Sequence, residues 1–115
     1  MDPDLYMPFY GNDFFAAVEG HGESFVSAYI RALWHYWHVN HCEGLKNDNG
    51  FLRRVCRCNA SDWPGTGPVI FGEYFLLENG LWHQKRAREE WLKMCDMLER
   101  RRRAGSIGAK RRWKM

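Results

Sequence analysis

A chain of 115 residues, 45 % hydrophobic and 16 % aromatic, has the length of one domain and ample material for a core, which excludes intrinsic disorder. Its formal charge of +3 conceals a division: residues 1–84 carry 5 Lys/Arg against 10 Asp/Glu, and residues 85–115 carry 12 against 4. No apolar run approaches the ~20 residues that cross a bilayer, and the acidic start Met1-Asp2-Pro3-Asp4 has neither the basic nor the apolar region of a signal peptide. No membrane partner is therefore expected, and Cys42, Cys56, Cys58 and Cys95 are expected to stay reduced in a cytosol.

Residues 5–15 combine Tyr6, Phe9, Tyr10, Phe14 and Phe15 with Pro8 and Gly11. That composition predicts an extended arm or short strand covering the core and breaking at Gly11-Asn12. Base stacking is the alternative use for those rings. From about Glu23 to Val39, Val26, Tyr29, Ile30, Leu33, Tyr36 and Trp37 recur at spacings of three and four. The pattern predicts a helix with Ser24 as its cap, Gly44 past its end and Arg31 pointing away from the apolar stripe. His35, His38 and His41 near its C-terminus, together with Cys56 and Cys58, are residue types that hold zinc. Their spacing departs from the common patterns, since Cys-x-Cys is not Cys-x2-Cys and no second tight pair follows. Histidines also suit a helix C-terminus without any metal. Neither a metal nor another cofactor is expected.

Residues 44–50 read as a polar loop. Residues 51–58 read as a short amphipathic helix, with Phe51, Leu52 and Val55 on one face and Arg53, Arg54 and Arg57 on the other. Asn59 followed by Asp62 is a variant of the capping box, which starts a further helix. Trp63-Pro64-Gly65-Thr66-Gly67-Pro68 then puts two prolines and two glycines inside it, predicting a break between a turn near 59–63 and a piece near 68–73. Residues 59–75 contain no Lys or Arg, which is poor material for reading base edges. Two aromatic and aliphatic runs flank Asn79-Gly80, the dipeptide suited to a type I′ turn, and predict a hairpin with Leu77 opposite Trp82. Residues 84–103 read as the last helix, burying Ala87, Trp91, Met94, Cys95 and Leu98 and pairing Glu89 with Lys93. Residues 104–115 read as a flexible basic tail containing Gly and Ala.

The expected fold is mostly α with a small β-hairpin, an α+β class. Residues 1–103 would form one domain in the order of a winged helix, and residues 104–115 the tail. The last sixteen residues hold eight basic side chains and no acidic one, and four consecutive arginines repel one another unless a polyanion neutralises them. A solvated tail is the bland alternative. The candidate nucleic-acid contacts are Arg53, Arg54, Arg57, Lys85, Arg86, Arg100, Arg101, Arg102, Arg103, Lys110, Arg111, Arg112 and Lys114, with Trp113 available to stack on an unpaired base. No nucleophile elbow, His-Glu-x-x-His, P-loop or paired-acid signature appears, so no enzyme is expected.

Four stretches together resemble the YdaU-like family of small phage and prophage proteins. They are Pro8-Phe9-Tyr10-Gly11-Asn12-Asp13-Phe14, Tyr29-Ile30-Arg31-Ala32-Leu33-Trp34-His35-Tyr36-Trp37 with Gly44-Leu45, Phe75-Leu76-Leu77-Glu78-Asn79-Gly80-Leu81-Trp82-His83-Gln84-Lys85-Arg86, and Arg103-Ala104-Gly105-Ser106-Ile107-Gly108-Ala109-Lys110-Arg111-Arg112-Trp113. The resemblance covers nearly the whole chain. It implies a winged-helix-like domain of the kind found at the N-terminus of phage replication-initiation proteins, binding DNA in preference to RNA in the host bacterial cytosol. It supplies no catalytic residues, and the Pro/Gly interruption departs from a helix that inserts into a groove. The alternative is a phage protein-interaction module that binds and inhibits a host nucleoprotein complex, such as a defence complex.

Overall fold

The computed structural model describes the backbone of residues 6–114 and the side chains of residues 6–105. Its elements are helix α1 (Gly11–Val18), helix α2 (Glu23–Trp34) widening into a π-turn (His35–Val39), strand β1 (Leu45–Lys46), helix α3 (Asn49–Cys56), helix α4 (Trp63–Val69) widening into a second π-turn (Ile70–Tyr74), strands β2 (Leu76–Glu78) and β3 (Leu81–His83), and helix α5 (Lys85–Lys114). The fold is thus mostly helical, with a small antiparallel sheet of order β1-β3-β2.

The N-terminal segment departs from the expected arm. Gly11 begins a helix where a break was predicted, because Phe14 and Val18 stand one turn apart and are both buried. Phe14 stacks on Tyr29 of α2 with ring centroids 5.6 Å apart. The buried face of α2 is also rotated from the predicted stripe. Phe25, Ala28, Tyr29, Ala32, Tyr36 and Trp37 are inside, whereas Ile30 is exposed. Large side chains dominate the periodic pattern, but the small Ala28 and Ala32 are more fully buried than Phe25 or Tyr29. Ser24 does not cap this helix; Gly22 is the N-cap, and the Ser24 hydroxyl donates to Asp62 at 3.1 Å.

Beyond the first π-turn the chain reverses through His41 and Cys42, both left-handed at φ 54° and 55°. Asn40 fastens the reversal: its Oδ1 accepts from the Gly44 N–H at 2.7 Å, and its Nδ2 donates to the Gly44 carbonyl at 3.0 Å. Residues 44–50 are therefore more than a polar loop. Leu45 and Lys46 pair with Trp82 and Leu81, adding a third strand, and Leu45 is fully buried. A strand of two residues has no alternation to detect.

Helix α3 starts at Asp48, whose carboxylate accepts from the Phe51 N–H at 2.8 Å, and ends at Arg57, left-handed at φ 50°. Helix α4 corrects the predicted break, since it runs unbroken through Pro68. Pro64 lies in the first turn, where its missing N–H costs nothing, and Pro68 forfeits one bond to the Pro64 carbonyl. Burial of Trp63, Thr66, Ile70 and Phe71 along one face offsets that loss. Gly67 is needed there: a Cβ would sit 2.5 Å from the Trp63 ring.

The hairpin forms as expected, with Asn79 and Gly80 at φ 53° and 78° and Leu77 opposite Trp82. Gln84 caps α5, its side-chain oxygen accepting from the Ala87 N–H at 2.7 Å. Trp91 reaches the core and meets Trp37 edge-on, centroids 5.0 Å apart. Lys93 pairs with Glu90 at 3.9 Å, not with Glu89. The predicted end at Arg103 is a further correction, because the helical backbone continues to Lys114. Gly105 and Gly108 cost about 1 kcal/mol each in a helix, but the Ala, Lys and Arg around them are among the best helix formers.

One buried polar contact joins the layers. The Tyr36 hydroxyl lies 2.8 Å from His83 Nδ1 and also donates to the Cys42 carbonyl at 3.4 Å. Burial lowers the pKa of His83 below its ordinary 6.5; Arg88 of α5 adds to this and Glu78 of β2 opposes it. Burial lowers His35 as well. The unfolded chain protonates these rings first, so their contribution to stability is complete above about pH 6.5 and is lost as the pH falls toward the lower folded values. The melting temperature should therefore decline as the pH falls below about 6.5, and His83→Gln should flatten that decline in part. Parallel profiles for the two proteins would remove His83 from the account.

Candidate nucleic-acid interface

Two basic surfaces arise from different parts of the sequence. On α5, four of the six predicted cations whose side chains are described have carboxylate partners. Arg86 bonds to Asp13 and lies over the Tyr10 ring, 3.8 Å from its centroid. Arg88 reaches Glu78 at 2.9 Å, Arg100 reaches Asp96 at 3.2 Å, and Arg102 and Arg103 share Glu99 at 3.6 and 3.3 Å. Lys85 and Arg101 are exposed, and no ion pair is seen for either among the described residues. Exposed pairs of this kind contribute about 0–1 kcal/mol, so a polyanion competes with them readily. Lys110, Arg111, Arg112, Trp113 and Lys114 lie outside the described side chains; their backbone belongs to α5.

The second surface lies between α2 and α3. Of the three arginines predicted to share a face of α3, Arg53 turns aside and donates to the Cys58 carbonyl at 3.5 Å. Arg54 and Arg57 line a groove of 660 Å³ together with Ile30, Arg31, Trp34 and Phe51. No carboxylate lines it among the described residues. Trp34 is 53 % exposed there, with its ring tilted against His38 at 5.7 Å. Lys46 sits over the Phe51 ring, 5.1 Å from its centroid. The apolar pattern of α2 sets Arg31 off the core stripe but marks no contact for it, Lys46 or Trp34. The signal was the i,i+3 spacing of Arg31 and Trp34 on the solvent side of α2.

Helix α4 offers no such surface. Its exposed positions are Pro64, Gly65 and Pro68, followed by Gly72 and Glu73 on the π-turn, none of which donates a side-chain hydrogen bond to a base. The histidines diverge onto separate aromatic partners, His35 against Phe51, His38 against Trp34 and His41 stacked on Trp91. Burial pushes the Cys42 and Cys56 thiols up to about 12, so both stay protonated at neutral pH. Among the described residues no three His, Cys, Asp or Glu side chains gather as a metal site.

No helix among the described residues is long and apolar enough to cross a membrane. The chain matches no protein-family model, no curated protein and no solved structure.

Proposed function

We propose that this chain is a phage or prophage nucleic-acid-binding protein that acts through a winged-helix-like domain and a basic C-terminal helix. The observation that carries the reading is α5, 30 residues in one helix. At 1.5 Å per residue it is about 45 Å long. Its last buried side chain among the described residues is Trp91, so the basic half extends beyond the core. Arg100 to Arg103 stand on that extension, and neutralising phosphates there releases condensed counterions. The order α2, β1, α3, α4, β2, β3, with β1 beside β3, fits a winged helix and supports that part of the reading. The phage origin and a link to replication rest on the motif resemblance. With no cation on α4, binding would follow the backbone rather than the base sequence.

The test is affinity for random-sequence duplex DNA over a salt series. Deleting residues 104–115 removes Lys110, Arg111, Arg112 and Lys114 and should lower the slope of log affinity against log salt by about 3–4. The melting temperature should hardly change, because every buried side chain among the described residues lies before residue 104. Equal slopes for the two proteins would sink the role given to this end of α5. A second reading, an interaction module that inhibits a host nucleoprotein complex, is favoured by Leu76 and Leu77, which are 55 % and 50 % exposed on β2. It predicts no DNA affinity at any salt, with partners that survive nuclease treatment in a pull-down.

A further inference from the structure

We infer that the groove between α2 and α3 is a single-strand site, in which Trp34 stacks an unpaired base while Arg31, Arg54 and Arg57 hold the neighbouring phosphates. The inference rests on the nucleic-acid reading above but assigns a different surface and a different form of the ligand.

The charge distribution is the first argument. Residues 1–84 contain only five basic residues, Arg31, Lys46, Arg53, Arg54 and Arg57, among ten acidic ones. Three of the five line this groove and Lys46 lies over Phe51 in its wall, while Arg53 turns aside to the Cys58 carbonyl. An acid-rich region that places three of its five cations on one groove, with no carboxylate among the described lining residues, complements an anion.

The aromatic face is the second argument. A half-exposed tryptophan lining the same groove as three guanidinium groups matches the combination that binds single strands, a basic track with a stacking platform. Bases within a duplex are already stacked on one another and do not present a free face, so the ligand is an unpaired base. The volume of 660 Å³ lies within the roughly 300–1,000 Å³ of small-ligand sites, which suits one nucleotide. Arg57 supplies a third argument. It occupies the left-handed position after α3, where glycine or asparagine is usual, so this site keeps a long cation in a strained backbone. An acidic peptide would also meet the arginines, but its carboxylates make no use of the Trp34 face.

The experiment uses the full chain and three fluorescent probes: oligothymidylate, an abasic strand with the same number of phosphates, and a duplex. The protein should bind oligothymidylate more tightly than the abasic strand by roughly 5–150-fold, the worth of one base stack. Trp34→Ala should abolish that preference and Trp34→Phe should retain most of it. Arg57→Gly should weaken both single strands alike without lowering the melting temperature, since glycine is at ease at this φ. Equal affinity of the native protein for oligothymidylate and the abasic strand would overturn the inference, as would displacement by polyglutamate as effective as by oligothymidylate. Duplex binding without a base preference would leave the function proposed above standing and remove only this site. Failure to bind any of the three probes would overturn both.

Discussion

Replacing Trp37 by Ala should remove about 3–5 kcal/mol of stability, the range for truncating a fully buried aromatic. Trp37 has no exposed surface, and its indole meets Trp91 edge-on at 84°. That contact joins the first π-turn to α5, so the variant loses apolar burial and an aromatic pair worth about 0.5–1.5 kcal/mol beyond area. Domains of this size are stable by only about 5–15 kcal/mol, so the loss is a large share of the total. Urea unfolding should show a lower midpoint with an unchanged slope. Trp34→Ala is the internal control. The same substitution one turn earlier on a half-exposed residue should cost no more than about 1 kcal/mol, as for surface positions generally. Equal losses at the two positions would mean that the α2–α5 contact is not what Trp37 supports. Trp91→Ala should resemble Trp37→Ala, and the double variant should lose less than the sum, because each single change already breaks the shared contact.

What the sequence revealed and what it hid divide along physical lines. The hairpin was legible because Asn79-Gly80 makes two left-handed positions in succession cheap, and no longer-range information is needed to place it. The spans of α2, α3 and the start of α5 were legible from spacing. Strand β1 was not, because Leu45 and Lys46 become a strand only when β3 lies beside them. The continuity of α4 was hidden for a related reason. A rule about proline describes local cost, while Trp63, Ile70 and Phe71 are held by burial against the rest of the core. The groove shows the same limit at the level of a site. Arg54 and Arg57 could be marked from the face of one helix, but Arg31 and Trp34 join them only through the packing of α2 on α3. On α5 the sequence exposed the charge but not the neutralisation of Arg86, since Asp13 lies far from it along the chain; the pairs of Arg100, Arg102 and Arg103 follow helical spacing and were open to a local reading.

Gly44→Ala should cost about 2–5 kcal/mol, adding a backbone penalty of about 1–2 to an overpacking penalty of about 1–3. Gly44 holds φ at 115°, where a residue with a Cβ is strained whatever space surrounds it. Space is also lacking. The added carbon would lie 2.7 Å from Leu81 Cβ and 2.9 Å from His83 Nε2. Neither atom is the far end of a flexible chain: Leu81 Cβ is fixed to the backbone of β3, and His83 is held by Tyr36. Relief therefore requires β1 and β3 to separate, which also disturbs the two bonds between Asn40 and Gly44. Gly20→Ala separates the two penalties. Gly20 has φ of 85° with nothing within 4 Å of its added carbon, so only the backbone term of about 1–2 kcal/mol applies. The melting temperature should fall in both variants and further in Gly44→Ala; equal falls would show that the contact with β3 is not tight. A second readout follows from the position of His83. If the new carbon pushes the ring off Tyr36, His83 becomes more accessible to water and its pKa rises toward the ordinary value. The acid-induced fall in stability below about pH 6.5 should then be shallower in Gly44→Ala than in Gly20→Ala.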